Sequence, residues 1–186
     1  MGPAAGLEGF VVQICKGGWA PSLFAGVCSG PNGEIVRGLG ADEIVDYTQH
    51  SSIEHHLAQK FGNEPFDIIF ECTDSGDALF ARADEYLKPD GRFVSVIGGW
   101  SQGVVPFLFN KLRPVMLGGT PRSYDIFLLT ASGAITKHVA QYVESGIIKD
   151  VPIDSEFPME QAVEGYERVA TGRARGKVIV KICGDD

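Results

Sequence analysis

Long apolar runs are missing from this 186-residue sequence. No stretch approaches the roughly 18 consecutive apolar residues of a membrane-spanning helix, so no such helix is predicted. The first residues lack the charged-then-apolar build of a secretory signal. Gly2 is not followed by the Ser or Thr at position six that myristoylation wants, because Gly6 stands there. Cations are scarce: 16 Lys and Arg face 24 Asp and Glu, for a net charge of −8. Nucleic-acid phosphates are bound by clustered cations that release counterions, so this balance argues against nucleic acid and leaves a small-molecule substrate, or an anion held by local dipoles. The four cysteines, Cys15, Cys28, Cys72 and Cys183, form no C-x-x-C pair. A structural zinc cluster and a disulfide framework are therefore not expected, and the cysteines read as small buried hydrophobes. Adjacent His55 and His56 point about 100° apart on a helix and cannot grip one metal, so they read as solvent-facing and no metal site is predicted. These absences describe a cytoplasmic, globular protein.

What the chain does have is 44% hydrophobic and 22% charged residues, enough for one domain or one plus a fraction of another. Strand-like and helix-like segments alternate along it. Phe10–Cys15 reads as an apolar helix and Leu23–Cys28 (LFAGVC) as a short buried strand. Asn32–Leu39 reads as a helix that Asn32 caps, Glu43–Asp46 as a strand, and Ser51–Phe61 as a helix. Phe66–Glu71 (FDIIFE) is a strand with an apolar centre, and Asp77–Leu87 a helix. Lys88-Pro89-Asp90-Gly91 reads as a turn with Gly91 free to take positive φ, leading into a strand over Arg92–Ile97. Strand–helix units of this length need crossovers, and crossovers give a parallel sheet covered by helices. The expected fold class is α/β, a doubly wound Rossmann-type parallel sheet.

Beyond Gly98-Gly99 the pattern loses its period. Val104–Asn110 and Arg113–Thr120 read as a substrate-side loop or an oligomer contact, and Tyr124, after Pro121-Arg122-Ser123, is the polar aromatic expected in the substrate loop, with no role assigned. Helical spacing returns with Ile135, Val139, Tyr142 and Val143, closed by Gly146. It returns again with Met159, Ala162, Val163, Tyr166, Val169 and Ala170, closed by Gly172. Lys177–Cys183 alternates as a half-buried strand. The expected division is residues 1–150, a nucleotide-binding domain, and residues 151–186, a C-terminal segment.

The glycine-rich opening, Met1-Gly-Pro-Ala-Ala-Gly-Leu-Glu-Gly9, runs straight into the first helix with no strand before it. A dinucleotide-binding loop normally follows a buried strand that aims its N–H groups and the helix N-terminus at a pyrophosphate. At the end of LFAGVC an acidic residue would select NAD by accepting from the ribose 2′-hydroxyl; Cys28-Ser29-Gly30 stands there instead. A 2′-phosphate is not repelled by this sequence and Ser29 can donate to it, which favours NADP(H). The alternative is that Ser29 only begins the next turn.

These segments together resemble the medium-chain dehydrogenase/reductase proteins, in the zinc-independent quinone-oxidoreductase and enoyl-reductase branch. The resemblance is carried by Phe10–Lys16, Val27-Cys-Ser29, Glu34–Thr48, Phe66–Cys72, Leu87–Val96 and Gly172–Val180, in order and at the family's spacing. It implies an NADPH-dependent reductase that transfers hydride to a quinone, enone or related activated carbonyl, possible in small-molecule biosynthesis. It implies further that the backbone of Ala4, Ala5, Gly6 and Leu7 cradles the pyrophosphate, that Ser29 and Tyr47 flank the adenosine 2′-phosphate, and that Thr73 and Gly98 line the nicotinamide ribose side. Arg37, Arg175 and Lys177 are phosphate partners or solvated surface cations. Tyr47 alternatively packs its ring on the sheet. No catalytic residue is assigned.

Two departures from the family bear on activity. In the ungapped match Ala5 and Glu8 stand where the loop has its second and third glycines; the register Ala4-x-Gly6-x-x-Gly9 restores two glycines with the helix shifted by one residue. Glu8 is otherwise an ordinary first-turn acid, favourable at a helix N-terminus. The larger departure is at the start: the family carries a preceding barrel-like, GroES-like catalytic domain and a central strand, and neither is in this sequence. Residues 151–186 then read as the remnant that would return to that domain. Unpaired backbone groups in mid-sheet cost roughly 1–3 kcal/mol each. Rearranged pairing of LFAGVC with FDIIFE, a homo-oligomer or a partner chain would relieve that cost. The second functional expectation is accordingly a non-catalytic remnant that binds nucleotide weakly or pairs with another chain.

Overall fold

The computed structural model describes residues 7–73, 76–96, 112–127, 132–149 and 151–182. The fold is mixed α/β with parallel strands throughout, as the alternation requires. The chain divides into two compact units, one of residues 50–130 and one of residues 2–49 with 131–186.

In the unit of residues 50–130, helix α3 (Ile53–Phe61) begins at Ser52, whose extended backbone lets its hydroxyl accept from His55 N at 3.3 Å. Leu57 and Phe61, one turn apart, are its buried residues. Phe61 meets Phe66, the first residue of β3 (Phe66–Glu71), with ring centroids 4.7 Å apart. Helix α4 (Gly76–Ala81) and a 3-10 turn (Ala83–Glu85) lead to β4 (Leu87–Ser95). The single helix expected over Asp77–Leu87 is thus broken. Arg82 and Tyr86 leave helical φ/ψ, and Tyr86 is fully buried with its hydroxyl donating to the Leu79 carbonyl.

The turn expected at Lys88–Gly91 lies inside β4. Phe66 pairs with Leu87 and Ile68 with Arg92, so these four residues form an irregularity in one continuing ladder. Gly91 does not take positive φ. Its need is for space, since a Cβ there would stand 2.8 Å from Leu87 Cδ1 and 3.0 Å from the Asp67 carbonyl. Strand β5 (Ser123–Ile126) adds a third parallel strand, giving the order β3-β4-β5. Sequence reading passed over it, because four residues are too few for an alternation to stand out. Phe80, Ala83, Leu87, Phe93 and Tyr124 form this unit's core. Tyr124, expected near a substrate loop, is 6% exposed and packs against Phe80 and Phe93.

In the other unit, α1 (Leu7–Ile14) runs into a π-helical turn (Cys15–Trp19) closed by Ala20 at φ 45°. Strand β1 (Ala25–Cys28), a 3-10 turn (Gly30–Asn32), helix α2 (Gly33–Gly38) and β2 (Glu43–Asp46) follow. β1 and β2 are parallel, with Cys28 opposite Asp46. Asn32 precedes α2 but makes no side-chain cap, since it already lies in the helical region at φ −96° and ψ −8°. Val12, Cys28, Val36 and Ala41 are buried together, with Phe24, Leu39 and Ile44 against them.

Helix α5 (Gly133–Glu144) is capped by Ser132 and left through Gly146 at φ 72°. Its apolar positions Ile135, Val139 and Val143 are all exposed. Helix α6 (Ala162–Ala170) ends before Gly172 at φ 63° and joins β6 (Ile153–Pro158) to β7 (Lys177–Lys181), which pair in parallel. Among the described residues, β1 pairs with β2 in this unit and β3 with β4 in the other.

Gly176 enters β7 against the backbone of the β6 start. A Cβ there would lie 2.3 Å from the Pro152 carbonyl oxygen and 3.0 Å from Asp154 N. Both obstacles are backbone and cannot rotate away, so Gly176→Ala is expected to lower stability by about 1–3 kcal/mol. Urea denaturation checks this; a midpoint at or above that of the parent chain would refute the clash.

Candidate dinucleotide site

Of the expected pyrophosphate cradle, Ala4, Ala5 and Gly6 lie outside the described residues, and Leu7 is described only as the first residue of α1. The helix they lead into does show how it packs. Gly9 is buried, and a Cβ on it would come within 3.0 Å of Leu39 Cδ1. One turn on, the buried amide of Gln13 donates to the Gly9 carbonyl at 3.3 Å and accepts from Lys149 N at 2.9 Å. A lone buried glutamine inside an apolar helix gave no signal of this in the sequence.

Ser29 leaves β1 with φ −76° and ψ 150°, at the N-cap position of the 3-10 turn that follows. Its hydroxyl makes no capping bond. Asp46 stands beside this turn: a Cβ on Gly30 would lie 2.5 Å from its Oδ2. Asp46 Oδ1 accepts from Thr48 N (2.9 Å) and Thr48 Oγ1 (2.7 Å), and Oδ2 from Gln49 Nε2 (3.1 Å). The Thr48 hydroxyl first, then the Thr48 N–H, the Gln49 amide and the Gly30 N–H hold its carboxyl below the usual range. The sequence places no acid at the end of LFAGVC, but strand pairing brings one from the end of β2, with its oxygens already matched by donors from its own turn. Tyr47 follows Asp46, half-buried, in the 3-10 turn Tyr47–Gln49. Arg37, Arg175 and Lys177 are exposed, and the Lys177 ammonium lies 5.6 Å from the Phe10 ring centroid.

In the unit of residues 50–130, Thr73 follows β3, half-buried, with its N–H and hydroxyl both donating to Glu71 Oε1 at 2.5 and 2.7 Å. Gly98 lies outside the described residues. Glu71 was not singled out from the sequence, although a carboxylate closing the apolar run FDIIFE was the available signal.

Cys15, Cys28 and Cys72 are buried, as expected of small hydrophobes, and burial pushes the Cys15 thiol up; Cys183 lies outside the described residues. His55 is exposed, while His56 is half-buried and stacks on His50 with centroids 3.6 Å apart. Among the described residues no three His, Cys, Asp or Glu side chains gather as a metal ion would need. No helix of the described residues is long and apolar enough to cross a membrane.

Residues 39–180 match the model of the zinc-binding dehydrogenase family. The chain is 39% identical over 186 residues to a medium chain reductase, pydE, of an Acremonium species, covering 96% of this chain and 50% of that protein. It is 30% identical over 164 residues to the trans-enoyl reductase poxH of Penicillium oxalicum, covering 84% of this chain and 42% of that protein. Among solved structures, the quinone oxidoreductase from Coxiella burnetii superposes with a TM-score of 0.72 at 20% identity, over 97% of this chain and 51% of that one. The chain spans about half the length of the curated relatives it matches.

Proposed function

The chain belongs to the zinc-binding dehydrogenase family of the medium-chain dehydrogenase/reductase superfamily, and from that premise we propose that it serves an NADPH-dependent oxidoreductase of the quinone-reductase and enoyl-reductase type. The substrate class is a small activated carbonyl or enone. When bound, the cofactor supplies the hydride. What this chain's residues supply is binding and orientation: the loop of residues 4–7 on the pyrophosphate, Ser29 and Tyr47 on the adenosine 2′-phosphate, Thr73 and Gly98 on the nicotinamide ribose. Residues 1–150 do this as the nucleotide-binding domain, with residues 151–186 as the segment that joins a catalytic domain. The same proposal places the protein in the cytoplasm.

One observation supports NADPH over NADH. Ser29 holds an N-cap position without using its hydroxyl as a cap, while the acid nearest its turn, Asp46, has its oxygens matched by Thr48, Gln49 and Gly30. A donor is left for a 2′-phosphate, and the acceptor that would have taken a 2′-hydroxyl is already engaged.

Nicotinamide fluorescence on the purified 186-residue chain tests this directly. NADPH is expected to bind more tightly than NADH, and Ser29→Asp to weaken NADPH at least tenfold through like-charge repulsion while leaving NADH unchanged. Equal effects on both cofactors would refute the 2′-phosphate contact. Binding without turnover of quinones or enones would favour the second reading, a non-catalytic remnant that binds nucleotide weakly or pairs with a partner chain.

A further inference from the structure

Parallel pairing sets Cys28, the last residue of β1, opposite Asp46, the last residue of β2, so this acid stands beside the turn that leaves β1. The approach is close. A Cβ on Gly30 would lie 2.5 Å from Asp46 Oδ2, and the Gly30 N–H donates to the same carboxylate. An ionised carboxylate has about four lone-pair positions to offer. Here Thr48 N (2.9 Å) and Thr48 Oγ1 (2.7 Å) donate to Oδ1, Gln49 Nε2 (3.1 Å) donates to Oδ2, and the Gly30 N–H adds a fourth donor. The carboxylate is saturated. A main-chain donor two residues on is enough to close a local turn around an aspartate, and Thr48 N supplies it. The hydroxyl of Thr48 and the amide of Gln49 go beyond that need, and what they do is fill the remaining acceptor positions.

We infer that Thr48 and Gln49 are positioning residues that set the cofactor preference by saturating Asp46, an inference that rests on the NADPH reading proposed above. An acid with open lone pairs beside an adenosine ribose accepts from its 2′-hydroxyl and repels a 2′-phosphate. Asp46 is the acid that the end of LFAGVC lacks, brought there by strand pairing and kept from that role by the two residues after Tyr47. Val at position 48 and Ala at position 49 would return two lone-pair positions to it. The freed carboxylate then favours a hydroxyl over a phosphate.

The test is nicotinamide fluorescence titration of the 186-residue chain with NADPH and with NADH. The parent chain is expected to favour NADPH. Thr48→Val with Gln49→Ala should tighten NADH and weaken NADPH, moving the ratio of their dissociation constants about tenfold toward NADH. Adding Asp46→Asn should bring the ratio back to the parent value or beyond it, because an amide carries no charge to repel a phosphate. Both donors are exposed; should the double variant still fail to fold, Thr48→Val alone, which keeps the Thr48 N–H, should move the ratio about threefold. Residues that only shaped the turn would weaken both cofactors alike. A parent chain that favours NADPH, with variants that leave the ratio unmoved or move it equally with Asn at position 46, overturns the inference and leaves the NADPH reading intact. A parent chain that binds neither cofactor, or both alike, overturns the NADPH reading, and the inference falls with it.

Discussion

Phe93→Ala is expected to lower the stability of the chain by about 3–5 kcal/mol. Phe93 is fully buried in the middle strand of β3-β4-β5. Its ring lies edge-on to Phe80, with centroids 5.4 Å apart, and stacked on Tyr124 at 5.7 Å. Phe80 and Tyr124 also meet each other, at 4.7 Å, so all three pairs of this triangle are in contact. Truncation removes the apolar area of one ring and leaves a void that α4 and β5 cannot both close, since each is held by its remaining partner. Domains of this size are stable by roughly 5–15 kcal/mol, so the loss is a large share of the whole. Urea denaturation should show a much lower midpoint with an unchanged slope. Phe93→Leu, which keeps most of the volume, should lose less than half as much. A Phe93→Ala midpoint close to the parent's would mean that this cluster is not the core of its unit.

Asp154→Asn is expected to cost about 2 kcal/mol at neutral pH and to lose that effect in acid. The pairing of β6 with β7 skips a residue between Ile153 and Ser155, so Asp154 lies out of register. Its carboxylate is thereby directed to α6 and the connection after it. Oδ1 accepts from Arg168 Nη2 (2.6 Å) and Arg175 N (2.7 Å); Oδ2 accepts from Arg168 Nε (2.7 Å) and Ser155 Oγ (2.9 Å). The Arg168 guanidinium chiefly, with the Arg175 N–H and the Ser155 hydroxyl, holds this carboxyl well below the usual range. Asparagine keeps one acceptor and turns a donor toward one of those four donors. Because the folded carboxyl titrates below the unfolded one, its contribution is fully present above the unfolded value of about 3.9 and is lost as pH falls toward the folded value. Parent and variant should therefore converge in stability below about pH 4. A gap that persists unchanged into strong acid would show that the carboxylate's charge is not what the parent chain uses.

The sequence carried the strands better than the helices. EIVD and FDIIFE are strands at the residues expected, because each is a short apolar run bounded by polar turns. Asp77–Leu87 had helical spacing but breaks at Arg82 and Tyr86, where burying the Tyr86 ring and bonding its hydroxyl to Leu79 outweighs continuing the helix. At Lys88–Gly91, Pro and Gly signalled a turn, yet the ladder resumes on its far side because Arg92–Ser95 still pair with β3. Ser29 was expected as a cofactor contact from its place at the end of LFAGVC, and Tyr47 and Thr73 from the family resemblance. Their neighbours could not be expected: Asp46 reaches the Ser29 turn through parallel pairing with β1, and Ser95 reaches Glu71 from 24 residues away.

By itself the sequence determined the α/β class and the run of short strands and helices, because these follow from local periodicity, turn chemistry and spacing along one chain, and its motifs carried the likeness to the family. Only the tertiary structure decided which carboxylates lie beside the expected cofactor contacts, that Tyr124 is core, and that Gly9 and Gly91 are there for space. Each of those depends on which strand pairs with which, in what register, and so on residues that are far apart in the chain.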